Sequence, residues 1–115
     1  MFFIFERGLA KPVKGDTERE ILDAWLEWAY THDRILKHTV IKQVTVSTCF
    51  MGIDTNFPLI HPEPMVFETM VFGGLLDGSV KRSSNFDAAM NDHYRMIHIV
   101  VQAINQDTSV FPWID

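Results

Sequence analysis

Residues 65–72 read MVFETMVF, and the run stays apolar whichever parity is followed. At the strand period of two, Val66, Glu68, Met70 and Phe72 share one face, while Phe67, Thr69 and Val71 share the other. A strand with apolar groups on both faces needs cover on both. Residues 44–53, VTVSTCFMGI, have the same character and are rich in β-branched side chains. Between the two runs lie Pro58, Pro62 and Pro64 in a stretch without periodicity, which marks a stiff, irregular loop. The chain is therefore built around a sheet that must be covered on two sides, and it has 115 residues with which to do so.

Helical and strand signals elsewhere complete the layout. Phe2 to Phe5 is short and aromatic, a first strand closed by Gly8, and Lys11 to Gly15 with Pro12 is a connection. Thr17 followed by Glu20 has capping-box spacing and starts a helix expected to reach about Arg34. Ile21, Leu22, Trp25, Trp28 and Ala29 line it at helical intervals, the tryptophans as core anchors. Val40 to Ile53 is expected as one long strand and Met65 to Phe72 as the next. Gly73-Gly74 and Asp77-Gly78 mark turns before a short strand over Ser79 to Ser83. Asn85 is an N-cap for a second helix from Phe86 to about Asn105, whose stripe runs Phe86, Met90, His93, Ile97, Val100 or Val101, and Ile104. Residues 105–115 form a tail. The order β-α-β-β-(β)-α predicts a single α+β domain over residues 1–115, a mostly antiparallel sheet of three to four strands with two helices packed on it. With both helices on one face the other needs a partner, so a homo-oligomer, most simply a homodimer, is expected.

Composition excludes several functions. Ten Lys and Arg against fifteen Asp and Glu give a net charge of −5, with no basic stripe. General nucleic-acid binding and binding to an anionic membrane surface both need such a stripe. No stretch is long enough to span a bilayer. The opening MFFIF is ended by Glu6 and Arg7, too early for a secretory signal. Cys49 is the only cysteine, so no internal disulfide forms. A cytoplasmic setting is expected on these grounds. Within its apolar stretch Cys49 is expected as a small core residue, with its thiol pKa raised by burial.

Three polar groups stand out by position: Glu68 inside a strand, His93 inside a helical stripe, and Asp54 where a strand opens into the loop. If Glu68 and His93 meet, they are either a satisfied core pair or a site. The ligand-binding set expected from these positions is Asp54, Glu68, Thr69, His93 and Arg95. The alternative is a small metal-assisted or acid/base hydrolase using Asp54, Glu68 and His93. His61-Pro62-Glu63-Pro64 resembles half of a zinc-deaminase motif but lacks its Pro-Cys-x-x-Cys partner. Phosphate-loop, dinucleotide and nucleophile-elbow motifs are missing too, and neither a cofactor nor a metal is expected.

Val46-Ser47-Thr48, Phe50, Gly52 and Asp54, followed by Phe67 through Gly74 (FETMVFGG), resemble a family of short bacteriophage-encoded proteins. Their shared core is V-S-T-x-F-x-G-x-D and then F-E-T-M-V-F-G-G. The similarity extends from Val44 to His93 and departs at Thr55, where the family has histidine. If an Asp-His pair served catalysis in the family, this chain would lack half of it. The resemblance implies a phage accessory protein acting by binding in the host cytoplasm. Its expected role is counter-defence, by sequestering a nucleotide-like host immune signal or by inhibiting a host defence protein. A minor role in virion assembly is the third reading.

Overall fold

Each strand pairs antiparallel with its neighbour in sequence, so the fold is a hairpin, a helix, a four-stranded meander and a second helix. The structure, a computed structural model, describes residues 1–54 and 63–110, with side chains as far as residue 106. A two-stranded sheet contains β1 (Phe3–Glu6) and β2 (Leu9–Pro12). Helix α1 (Glu18–Thr31) follows, then β3 (Ile35–Ile41), β4 (Val44–Phe50), β5 (Phe67–Phe72) and β6 (Val80–Ser83), and finally α2 (Phe86–Val110). The α+β expectation holds, with two more strands than the sequence signals gave.

Both extra strands come from turns without the usual glycine or asparagine pair. At Arg7-Gly8 both residues take positive φ, 52° and 81°, the two-residue geometry that matches strand twist. Lys11 and Pro12 therefore return along β1 rather than forming a connection. Pro12 is tolerated because it ends an edge strand. At Lys42-Gln43, Lys42 takes φ 56° and folds the chain back, so the long strand expected from Val40 to Ile53 is divided by a turn: Val40 and Ile41 end β3, and Val44–Phe50 is β4. Lysine carries no turn signal, and its left-handed conformation is supplied by strand pairing on either side.

Caps define the helices. Thr17 accepts a hydrogen bond from the Glu20 backbone N–H at 3.1 Å, and its hydroxyl donates to Glu20 Oε1. The far end comes at Thr31, short of Arg34. There the Thr31 hydroxyl bonds to the Glu27 and Trp28 carbonyls, and His32 Nδ1 lies 2.8 Å from the Trp28 carbonyl oxygen, satisfying acceptors that another turn would have used. Asn85 Oδ1 accepts from the Ala88 N–H at 2.8 Å and opens α2, which continues past the expected end at Asn105 to Val110.

The core has two parts on one side of the meander. Val44, Val46, Val71 and Val100 form one, with Met96, Ile97 and Ile104 packed on it. Phe3, Phe50, Val66, Phe67 and Ala89 form the other. Of the stripe expected on α2, His93 and Val100 are buried, while Phe86 and Val101 are exposed and Ala89 takes the buried place near the first turn. Helix α1 packs against β1 and the end of β4. Trp25 Nε1 donates to the Phe3 carbonyl at 2.9 Å, and Trp28 meets Phe50 edge-on.

Gly52 makes that junction possible. At φ 75°, a Cβ on it would lie 2.6 Å from Trp25 Nε1 and 2.8 Å from the Phe3 carbonyl oxygen. Gly52→Ala should therefore destabilise the fold by at least ~2 kcal/mol, from left-handed strain together with displacement of the Trp25 hydrogen bond. Urea denaturation would measure this; a loss under ~0.5 kcal/mol would show that the junction relaxes freely.

Candidate functional site

Register separates the polar residues of the two central strands. Thr48 pairs with Thr69, and Cys49 pairs with Glu68, so the threonines lie on the face covered by α2 and the other two lie on the opposite face. Glu68 and His93 therefore do not meet. Glu68 bonds Arg82 of β6 at 3.2 Å, with side-chain exposures of 15% and 46%. His93 is wholly buried on the helix side.

The His93 ring has a threonine at each nitrogen. Nδ1 is 2.7 Å from Thr48 Oγ1 and Nε2 is 2.9 Å from Thr39 Oγ1. Thr48 Oγ1 in turn lies 2.6 Å from Thr69 Oγ1. A neutral imidazole has one donor and one acceptor, and hydroxyls can play either role, so the chain Thr39–His93–Thr48–Thr69 satisfies itself. Burial lowers the His93 pKa below the ordinary histidine value, with Lys37 and His38 adding to the effect. With both nitrogens engaged and no exposed surface, His93 reaches no substrate in this arrangement. Its chemistry is that of a satisfied core group joining α2 to three strands.

The other expected site residues are dispersed. Thr69 belongs to the buried chain. Arg95 is exposed on α2. Asp54 follows the Phe2–Ile53 bridge and donates its backbone N–H to the Met1 carbonyl. The hydrolase arrangement of Asp54, Glu68 and His93 is not assembled, since the sheet stands between the last two. Among the described residues no cluster of three His, Cys, Asp or Glu side chains is placed to hold a metal. His61 and Pro62 of the half-motif lie outside the described residues, as does Thr55.

On the side away from α2, side chains form three rows. Ile35, Cys49, Glu68 and Arg82 make the first, His38, Ser47, Met70 and Val80 the second, and Val40, Thr45 and Phe72 the third. Cys49 is half-buried here rather than a core residue. Burial raises its thiol pKa, Glu68 adds to the rise, and Arg34 opposes it. At the end of this face a cleft of about 530 Å³ runs between the end of α1 and the β4 terminus, with Ala29, His32, Asp33, Arg34, Cys49 and Met51 among its walls. Arg34 Nη1 donates to the Met51 carbonyl at 3.3 Å, and the guanidinium lies 5.6 Å from the Trp25 ring centroid. Its other N–H groups have no acceptor among the described residues. Sequence reading placed Arg34 at the end of a helix and missed it; the stop signal lay in Thr31-His32, followed by Asp33, whose carboxylate accepts the Ile35 N–H.

No family model, curated protein or solved structure matches this chain.

The depressed His93 pKa fixes the sign of a pH effect. The unfolded chain binds a proton near the ordinary histidine value while the folded chain does not, so stability is full above that value and falls as pH drops below it. The slope from this one group is at most ~1.4 kcal/mol per pH unit, between the ordinary histidine value and the lower folded one. His93→Gln, which can serve only one of the two threonines, should cost ~1–3 kcal/mol at pH 7.5 and remove this part of the slope. Melting curves from pH 7.5 to 5 for both proteins measure it; parallel curves would refute it.

Proposed function

We propose that the chain is a phage accessory protein that acts by binding in the host cytoplasm, in a counter-defence role. The phage assignment is supported by the V-S-T-x-F-x-G-x-D and F-E-T-M-V-F-G-G stretches, and the binding mode by the site geometry. The observation that carries it is the contrast between His93 and Arg34. The buried histidine is saturated by two threonines, whereas Arg34 sits at an open cleft with one protein hydrogen bond, beside an indole ring. A cleft of this size, lined by apolar residues with the Arg34 guanidinium beside the Asp33 carboxylate, suits a small flat-ringed ligand that brings an anionic group to Arg34 and a hydroxyl or amine donor to Asp33, a combination that a nucleotide-like signal carries. That ligand class is favoured here over inhibition of a host defence protein because the cation is recessed, not displayed on a broad surface.

Native mass spectrometry of protein purified from infected cells tests this reading. The expected result is a retained small molecule on the native protein and at least ~10-fold less on Arg34→Ala, with far-UV circular dichroism unchanged. Equal retention by both proteins would remove Arg34 from the site, and a bare protein would remove the small-molecule reading.

Glu68→Gln separates binding from hydrolysis. Paired only with a half-exposed Arg82, Glu68 should contribute no more than ~1 kcal/mol, and phage plating on a defence-positive host should be unchanged. A ~10²-fold fall in plating with an unaltered melting temperature would restore a proton-transfer role for Glu68.

A further inference from the structure

Among the described residues the meander is covered by α2 on one side, and its other side exposes Ile35, Val40, Phe72 and Val80 by 53, 60, 50 and 41%. We infer that this face is a self-association surface, and that its occupant is the same face of a second copy. This goes beyond the proposed ligand and does not depend on it.

Charge favours a second copy over other occupants. The protein carries a net charge of −5, so two copies repel unless they meet through a neutral patch. The rows hold one carboxylate and one guanidinium, Glu68 and Arg82, already paired with each other, and a single histidine, His38, a side-chain type largely neutral at pH 7 and above. A polyanion would find no cationic excess here and a basic peptide no anionic excess, whereas an apolar, charge-balanced face is complementary to itself. Small side chains favour close approach: Thr45, Ser47 and Cys49 form a low central line along β4, with taller residues of β3 and β5 on either side.

Four strands of seven, seven, six and four residues, about 4.8 Å apart and about 3.3 Å per residue, give a face of roughly 380 Å² in plan. Two such faces together cover on the order of 760 Å² in plan and more as accessible surface, since the side chains project from it, which is the scale of a small, reversible interface. Pairing through the strand edges is disfavoured. The outer edge strand β3 has a register irregularity between Ile35 and Lys37, and the opposite edge, β6, is four residues long.

Sedimentation of the full chain over a concentration series from micromolar upward tests the inference. The wild type should run at twice the 13.3 kDa chain mass, and Val40→Lys and Phe72→Lys should each run at the mass of one chain. These two residues lie on different strands and are at least half exposed, so one variant remains informative if the other misfolds, with circular dichroism and melting temperature as the check. Tyr30→Lys, on the outer side of α1, should leave the dimer intact. A wild-type monomer throughout the series overturns the inference, whatever other partner the face takes. So does a dimer that survives both sheet substitutions in folded protein, or one that Tyr30→Lys dissociates.

Discussion

The His93 imidazole, held between Thr39 and Thr48 with Thr69 bonded to Thr48 behind, ties α2 to three strands of the meander through one hydrogen-bonded chain. Apolar packing alone would let α2 slide along a sheet whose inner face is largely valine and phenylalanine, because such contacts are weakly directional. A ring that must satisfy both nitrogens at fixed points on β3 and β4 sets the helix's axial position and rotation together. Around that fixed point, Ala89, four residues before His93, falls over the aromatic part of the core, and Val100, seven residues after it, over the valine part.

Much of this arrangement can be traced to individual residues. The apolar stripe of α2 showed that His93 would face inward, and strand parity showed that Glu68 and Thr69 would point to opposite sides. Which of those two sides the helix covers depends on the handedness and length of the connections, and no local pattern records it. Thr48 and Thr39 are therefore the histidine's partners, and Glu68, the candidate partner in the sequence, lies on the other side. The β3–β4 hairpin was hidden for a different reason: Lys42-Gln43 lacks turn chemistry, and its left-handed lysine is stabilised by pairing on either side. Arg34 was misplaced because the end of α1 is set by side-chain bonds from Thr31 and His32 to the preceding carbonyls, an effect weaker in sequence than a glycine or a proline.

The two faces of the sheet divide the protein's chemistry. Hydroxyls and imidazole are enclosed with the valines, where each polar atom has a partner, and the ion pair, the thiol and the half-exposed apolar residues are outside. Burial would force any charged group on the inner side to neutralise or pair, which suits a histidine and two threonines and would not suit a carboxylate–guanidinium pair. Function that depends on contact with another molecule is thereby directed to the outer face and to the cleft beside Arg34.

The N-terminal hairpin has a consequence for how the chain is made. Phe5 of β1 packs against Phe50, Phe67 and Phe86, residues on three later elements, and Phe3 pairs with Gly52. During synthesis the hairpin leaves the ribosome before any of these exists. Helix α1 can pack on β1 soon after, but the cover of Phe5 is completed only when β4, β5 and the start of α2 have emerged. The meander, in contrast, is joined strand to adjacent strand and can close progressively as it is translated. Residues made before the meander are thus seated only after it, and the nascent chain carries a partly covered aromatic hairpin while the strands that complete its packing are made.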